Sequence, residues 1–158
     1  MLTQQEALDL FTYKDGYLYR KTGGAGFRKG IVNNVRVEGY SYVRVKNKRY
    51  PTHRVIFLMH HGFLPEQVDH IDTNRQNNKI ENLRAATNAQ NCRNRRRKIT
   101  NSSGVKNVSW HKPLKKWRIQ ICVDAKIKHI GYFEDLEIAN LVASEHRDFY
   151  HGEFANHE

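Results

Sequence analysis

The period of apolar and polar positions changes several times along the chain. Thr3 with Glu6 fits a capping box, which predicts a short helix over 4–11. "GYLYRK" (16–21) alternates as a strand does. "YSYVRVKNKRY" (40–50) alternates again, with Tyr42, Arg44 and Lys46 on the face opposite Val43 and Val45. That basic face suits a nucleic-acid backbone and suits solvent equally well. "HRVIFLMHHG" (53–62) reads as a buried helix over 53–61, stopped by Gly62. "FLPEQVDH" leads into a short strand ending at His70, and a long polar loop follows. "NLRAAT" (82–87) returns as the second strand of a hairpin. Thr87 and Gln90 form a second capping box, so a helix begins near Asn88 and runs into an arginine cluster, with Asn91 in its first turn.

"KITNSSG" (98–104) is polar and turn-rich, and the pattern differs beyond it. "GVKNVSWHK", "KWRIQICV" (116–123) and "KIKHIGYF" (126–133) are three strand candidates. The second places Trp117, Ile119, Ile121 and Val123 on one face and Arg118, Gln120 and Cys122 on the other. Asp135 then caps a helix with the stripe Ala139, Val142, Ala143, His146 and Tyr150, ending near Gly152. The predicted class is α+β. The predicted organisation is a first module over 1–97, a basic and polar linker over 98–103, and a small three-stranded antiparallel sheet with one helix over 104–158.

Composition narrows the function. The 158 residues suffice for one ordinary domain or two small ones. A formal charge of +11 and a pI near 9.8 point to a polyanion, nucleic acid before membrane. The excess is concentrated at "NRRRK" (94–98), and Arg93, Arg95, Arg96 and Arg97 are expected on phosphates. No apolar run is long enough to span a bilayer, and the start lacks the features of a secretory signal. Cys92 and Cys122 form no CxxC pair, so no zinc is expected, and the cytoplasm, of the host if the chain is phage-encoded, is the expected compartment. "GGAGFRKG" (23–30) lacks the GxGxxG spacing and a βαβ context, and it reads as a flexible basic loop.

The chemistry concentrates in "QVDHIDTNRQNNKIENLRAATNAQN" (67–91). Hydrolysis of a phosphodiester needs a base for water and a cation for the developing charge. A neutral imidazole suits the first task, and a carboxylate with amide oxygens suits Mg²⁺. Asp69 and His70 supply one of each. Asn82, on the returning strand, is placed to accept from the imidazole and orient it. Asn91, on the following helix, is placed to complete a site for one divalent ion, Mg²⁺ or Mn²⁺. Asp72, Asn74, Asn77 and Asn78 are expected to shape the loop. His53 is expected to pack or cap its own helix, and Arg84 to brace the hairpin or touch a phosphate.

The upstream His53-Arg54, then "VDHIDTN" (68–74), "NNKIENLR" (77–84) and Asn91 resemble the HNH endonuclease family, in its phage and intron-homing branch. The resemblance implies a ββα-metal (His-Me finger) module at about 66–95. It also implies His70 as general base, Asn82 as its positioning group, and Asp69 and Asn91 as ligands of one divalent ion. Asn91 stands where the family name promises a histidine.

Residues 103–156 resemble the DNA-binding domain of APETALA2/ethylene-response factors, through "SGVKNVSWHKPLKKWRIQICV", "HIGYF" and "HGEFAN". This implies a sheet that enters the major groove, with Lys106, Trp110, Gln120 and His129 at contact positions. Arg118 joins them from the alternation. Val108 and Cys122 stand where the family carries arginines, so base preference does not transfer. Trp117 is expected in the core. The expected function is a monomeric metal-dependent endonuclease of nicking or homing type on double-stranded DNA, with its site chosen by the C-terminal domain. The alternative is a DNA-binding regulator with a degenerate nuclease core.

Overall fold

The computed structural model describes residues 2–23, 29–32, 35–95 and 100–158, with the side chains of 35–37 left aside. Most of the glycine-rich loop, Arg96 and Arg97 therefore lie outside the described residues. By contacts the chain divides into two units, residues 1–87 and 88–158.

The first unit opens with α1 (Gln4–Leu10), whose capping box forms: the Thr3 side chain accepts from Glu6 N, and the Glu6 carboxylate accepts from Thr3 N. The chain then turns into β1 (Phe11–Lys14) and pairs with β2 (Tyr17–Arg20) across Asp15-Gly16. Both turn residues have positive φ, 50° and 84°, as a tight Asp-Gly hairpin requires. β3 (Gly30–Ile31) adds a short third strand. The stretch expected as one strand over 40–50 is itself a hairpin. β4 (Val35–Val37), β5 (Tyr40–Val45) and β6 (Lys48–Pro51) form a second sheet, and Lys46-Asn47 turn with φ of 46° and 62°.

α2 (Thr52–His61) follows and ends on Gly62 at φ 78°, the left-handed residue that stops a helix without a Cβ penalty. Val55, Ile56, Phe57 and Leu58 bury in one core with Leu18, Val43, Val45, Val68 and Leu83. β7 (Gln67–His70) and β8 (Leu83–Ala86) then pair antiparallel, with Asp69 opposite Arg84 and His70 opposite Leu83. A 3-10 turn, Ile80–Asn82, leads into β8.

The second unit begins with α3 (Asn88–Arg93). β9 (Val108–His111), β10 (Lys116–Val123) and β11 (Lys126–Phe133) form a sheet in the order β11-β10-β9. α4 (Leu136–His151) packs on it, its Ile138 N held by the Asp135 carboxylate at 2.9 Å. Ile119, Ile121, Ala139 and Ala143 are fully buried between them. Arg147, and not the expected His146, holds the innermost polar place on α4. Its guanidinium donates to Lys106 O at 2.6 Å, while His146 turns back on Val142 O. Among the described residues no helix is long and apolar enough to cross a membrane.

Candidate functional site

The β7–β8 register decides where each polar side chain goes. Paired residues of an antiparallel ladder share a face, and successive residues alternate. His70 therefore shares the face of Leu83, which is buried, and Asp69 shares the opposite face with Arg84. Asn82 lies one position beyond Leu83, out of line with His70.

His70 is 4% exposed. Its Nε2 donates to Asn78 Oδ1 at 2.9 Å. That bond puts the hydrogen of the neutral ring on Nε2 and the basic lone pair on Nδ1. The imidazole also lies 4.9 Å, centroid to centroid, from the His53 ring, which in turn lies 5.2 Å from Tyr40. Burial pushes the His70 pKa below its usual value, against the Asn78 bond and the nearby Asp72 and Asp69 carboxylates. Burial, with His70 and Arg54 beside it, lowers His53 further, to about 3. Both rings are thus neutral at ordinary pH, and His70 has the protonation state of a base.

Asn78 rather than Asn82 is the amide on the imidazole, which corrects the expected positioning group. Asn78 is 5% exposed, and its Nδ2 donates to Ser41 Oγ at 3.2 Å. Its backbone is fixed from below by the β1–β2 turn. A Cβ on Gly16 would come within 3.0 Å of Lys79 N and 3.2 Å of Asn78 C, and Ile80 N donates to Tyr13 Oη at 3.0 Å. Arg75 ties the loop to the second sheet through Glu38 O at 2.7 Å and lies 4.8 Å over the Tyr40 ring. The sequence signal that finds the hairpin is the Asp15-Gly16 dipeptide. Nothing in the spacing marks Asn78.

Asn82 serves the loop instead. Its Oδ1 accepts from Asp72 N at 3.0 Å, and its Nδ2 donates to Asp72 Oδ1 at 2.9 Å and to Asn77 O at 2.8 Å. Asp72 also accepts from Asn74 N and from the Asn77 amide. Burial works to raise the Asp72 carboxyl, but these hydrogen bonds outweigh it and hold the pKa below the usual value.

Asp69 is 5% exposed, and Arg84 donates to its Oδ2 from Nε and from Nη2, both at 2.9 Å. Arg84 thus braces the hairpin. Carboxylate and amide oxygens are the donors a hard divalent ion takes, and such an ion needs few protein ligands because it keeps several waters. The Asp69 carboxylate fits that chemistry, with Arg84 as a competing cation on it, and the Asn91 amide offers an oxygen of the same kind from the second unit. Among the described residues no three His, Cys, Asp or Glu side chains converge on one point.

In the second unit the same register argument sorts the expected DNA contacts. Ser109, Arg118 and Tyr132 share one face of the sheet with Gln120 and His129, away from Ile119 and Ile121. Trp110 pairs with Trp117, so it stands at the edge of the face that α4 covers, its ring 4.8 Å from Trp117. It does not join Arg118 and Gln120 as expected. Lys106 is half-buried: Nζ donates to Arg93 O at 3.1 Å and to Arg95 O at 2.5 Å. Burial, with Arg147 nearby, lowers its pKa to about 8. Its ammonium is spent on the carbonyls that follow α3. Arg93 bridges Asp124 at 3.0 Å, and Arg95 is exposed.

Residues 50–93 match the family model described as HNH endonuclease. The chain is also similar to Protein 3.8 of Escherichia phage T7, 33% identical over 88 residues, which is 56% of this chain and 72% of that protein. No solved structure matches.

Proposed function

The chain belongs to the HNH endonuclease family, and on that premise we propose that it is a metal-dependent endonuclease of nicking or homing type on double-stranded DNA. In this reading His70 takes a proton from water at Nδ1 while Asn78 holds Nε2, and the hydroxide attacks phosphorus with departure of the 3′ oxygen. Asp69 and Asn91 would hold one Mg²⁺ or Mn²⁺, which supplies positive charge against the phosphate when bound. Asn82 and Asp72 keep the loop in the shape that presents Asn78. The observation that carries the reading is the enclosure of His70 by Asn78 and His53, with burial keeping it neutral.

The second unit selects where the first one cuts. Strands β9, β10 and β11 contain no Asp or Glu, whereas α4 on their other side carries Glu137, Glu145 and Asp148. Charge is therefore sorted across the unit, which favours DNA on the free sheet face. That face offers Gln120 and His129, and the buried Arg118 Nε has no hydrogen-bond partner among the described residues. Arg95, with Arg96 and Arg97, adds phosphate contacts. A monomer with one such site nicks a single strand. The phage relative fits a phage gene product acting in the host cytoplasm.

One observation favours the rival, a DNA-binding regulator with a degenerate core: the Arg84 guanidinium lies on the carboxylate a metal would need. Supercoiled plasmid incubated with protein and Mg²⁺ or Mn²⁺ separates the two. The endonuclease reading expects metal-dependent nicking, reduced roughly 10²–10⁴-fold in His70→Ala. No nicking by either protein favours the rival, and equal nicking by both overturns the role given to His70.

A further inference from the structure

The free face of the second unit's sheet carries one large apolar side chain out of keeping with its neighbours. Ile127 is 70% exposed, on β11, directly across from the exposed Cys122. Single exposed apolar residues are ordinary on protein surfaces. What sets Ile127 apart is its position. The next pair on the same face is Gln120 with His129, and then comes Arg118 with Tyr132, on strands free of acid. The Gln120 side chain has no hydrogen-bond partner among the described residues, and His129 is exposed with its ring 4.5 Å from Tyr132.

We propose that Ile127 reads the 5-methyl group of thymine in the major groove, beside a base-edge contact made by Gln120. The inference rests on the reading that this unit chooses the DNA site. Three strands span roughly 10 Å, which suits a groove about 12 Å wide. In that groove thymine alone presents a methyl group, and a glutamine amide matches the N6 and N7 edge of adenine in two hydrogen bonds. Gln120 and Ile127 lie diagonally on neighbouring strands, offset by two residues, or about 6.7 Å, along them, close to two base-pair rises of 3.4 Å. An amide and an aliphatic side chain at that spacing select A·T-rich steps by two independent contacts. His129 and Arg118 supply donors on either side of Gln120.

The test uses the full chain carrying His70→Ala, without added metal, on a pool of random duplexes. The preferred site is then resynthesised with each thymine replaced singly by deoxyuridine, which removes only the methyl group. One replacement should weaken binding about four-fold, the effect of one buried methyl group. Adding Ile127→Ala should make the thymine and uracil duplexes bind alike, with an unchanged melting temperature because the side chain lies outside the core. Ile127→Val should keep most of the preference. Indifference of the parent protein to every replacement overturns the proposal, as does a preference that survives Ile127→Ala. A chain that selects no site at all overturns the reading beneath it, and this inference with it.

Discussion

The β7–β8 hairpin of the first unit and the free sheet face of the second both carry polar side chains from antiparallel strands, but they treat them oppositely. In the hairpin Asp69, His70 and Asn78 are each at most 5% exposed and have named partners. On the sheet His129 and Ile127 stand open, and Gln120 lacks a side-chain partner among the described residues. Burying a polar group is costly unless its hydrogen bonds are supplied. The hairpin meets that cost by locking geometry, which suits chemistry that needs a fixed base. The sheet keeps its donors uncommitted, which suits a partner that supplies the other half of each hydrogen bond. The contrast says that substitutions in the hairpin should disturb folding or rate, and those on the sheet should disturb choice of site.

The sharpest way to break the contrast is Arg84→Ala. It leaves Asp69 buried without its guanidinium, and breaking such a pair costs about 3 kcal/mol. Urea denaturation measures it, and a loss below about 1 kcal/mol would mean that solvent already reaches the carboxylate. Next comes the exchange of roles between two asparagines. Asn78→Ala should lower the nicking rate roughly 10–100-fold, as loss of a group that orients a reactive residue does. It should also move the pH–rate profile. Asn82→Ala should leave the profile in place and act through loop stability. Equal profiles for the two variants would return Asn82 to the role first expected of it.

A smaller effect lies in pH. His53 titrates near 6.5 when unfolded and at about 3 when folded. The unfolded chain therefore takes up the proton first. The stability this ring contributes is fully present above pH 6.5 and is lost as pH falls toward 3. His53→Phe should flatten the melting temperature over that window, read by calorimetry. An unchanged slope would mean that His53 is solvated in the folded chain.

Much of this was legible in the sequence. The limits of β10 and β11, the Asp135 cap and the β7–β8 hairpin follow from local alternation and capping, which are set within a few residues. Local pattern cannot reveal which amide meets His70, because that depends on strand register and on a turn at Gly16, far away in the chain. The surroundings of Trp110 and Lys106 are hidden from local pattern for the same kind of reason. The Trp110–Trp117 pairing fixes a face, and the carbonyls after α3 capture an ammonium that spacing alone would leave in solvent.

The division of labour itself is tested by measuring binding and cleavage on one preparation of each of two variants. Nicking of a plasmid that carries the preferred site is followed beside duplex binding at fixed salt. His70→Ala should lose nicking and keep its affinity for the site. Gln120→Ala should keep nicking of non-specific plasmid and lose its preference for the site, with the discrimination of one bidentate base contact, about 1–3 kcal/mol. Loss of both properties in either variant, or of neither in both, would contradict an enclosed centre that cuts and an open sheet that chooses.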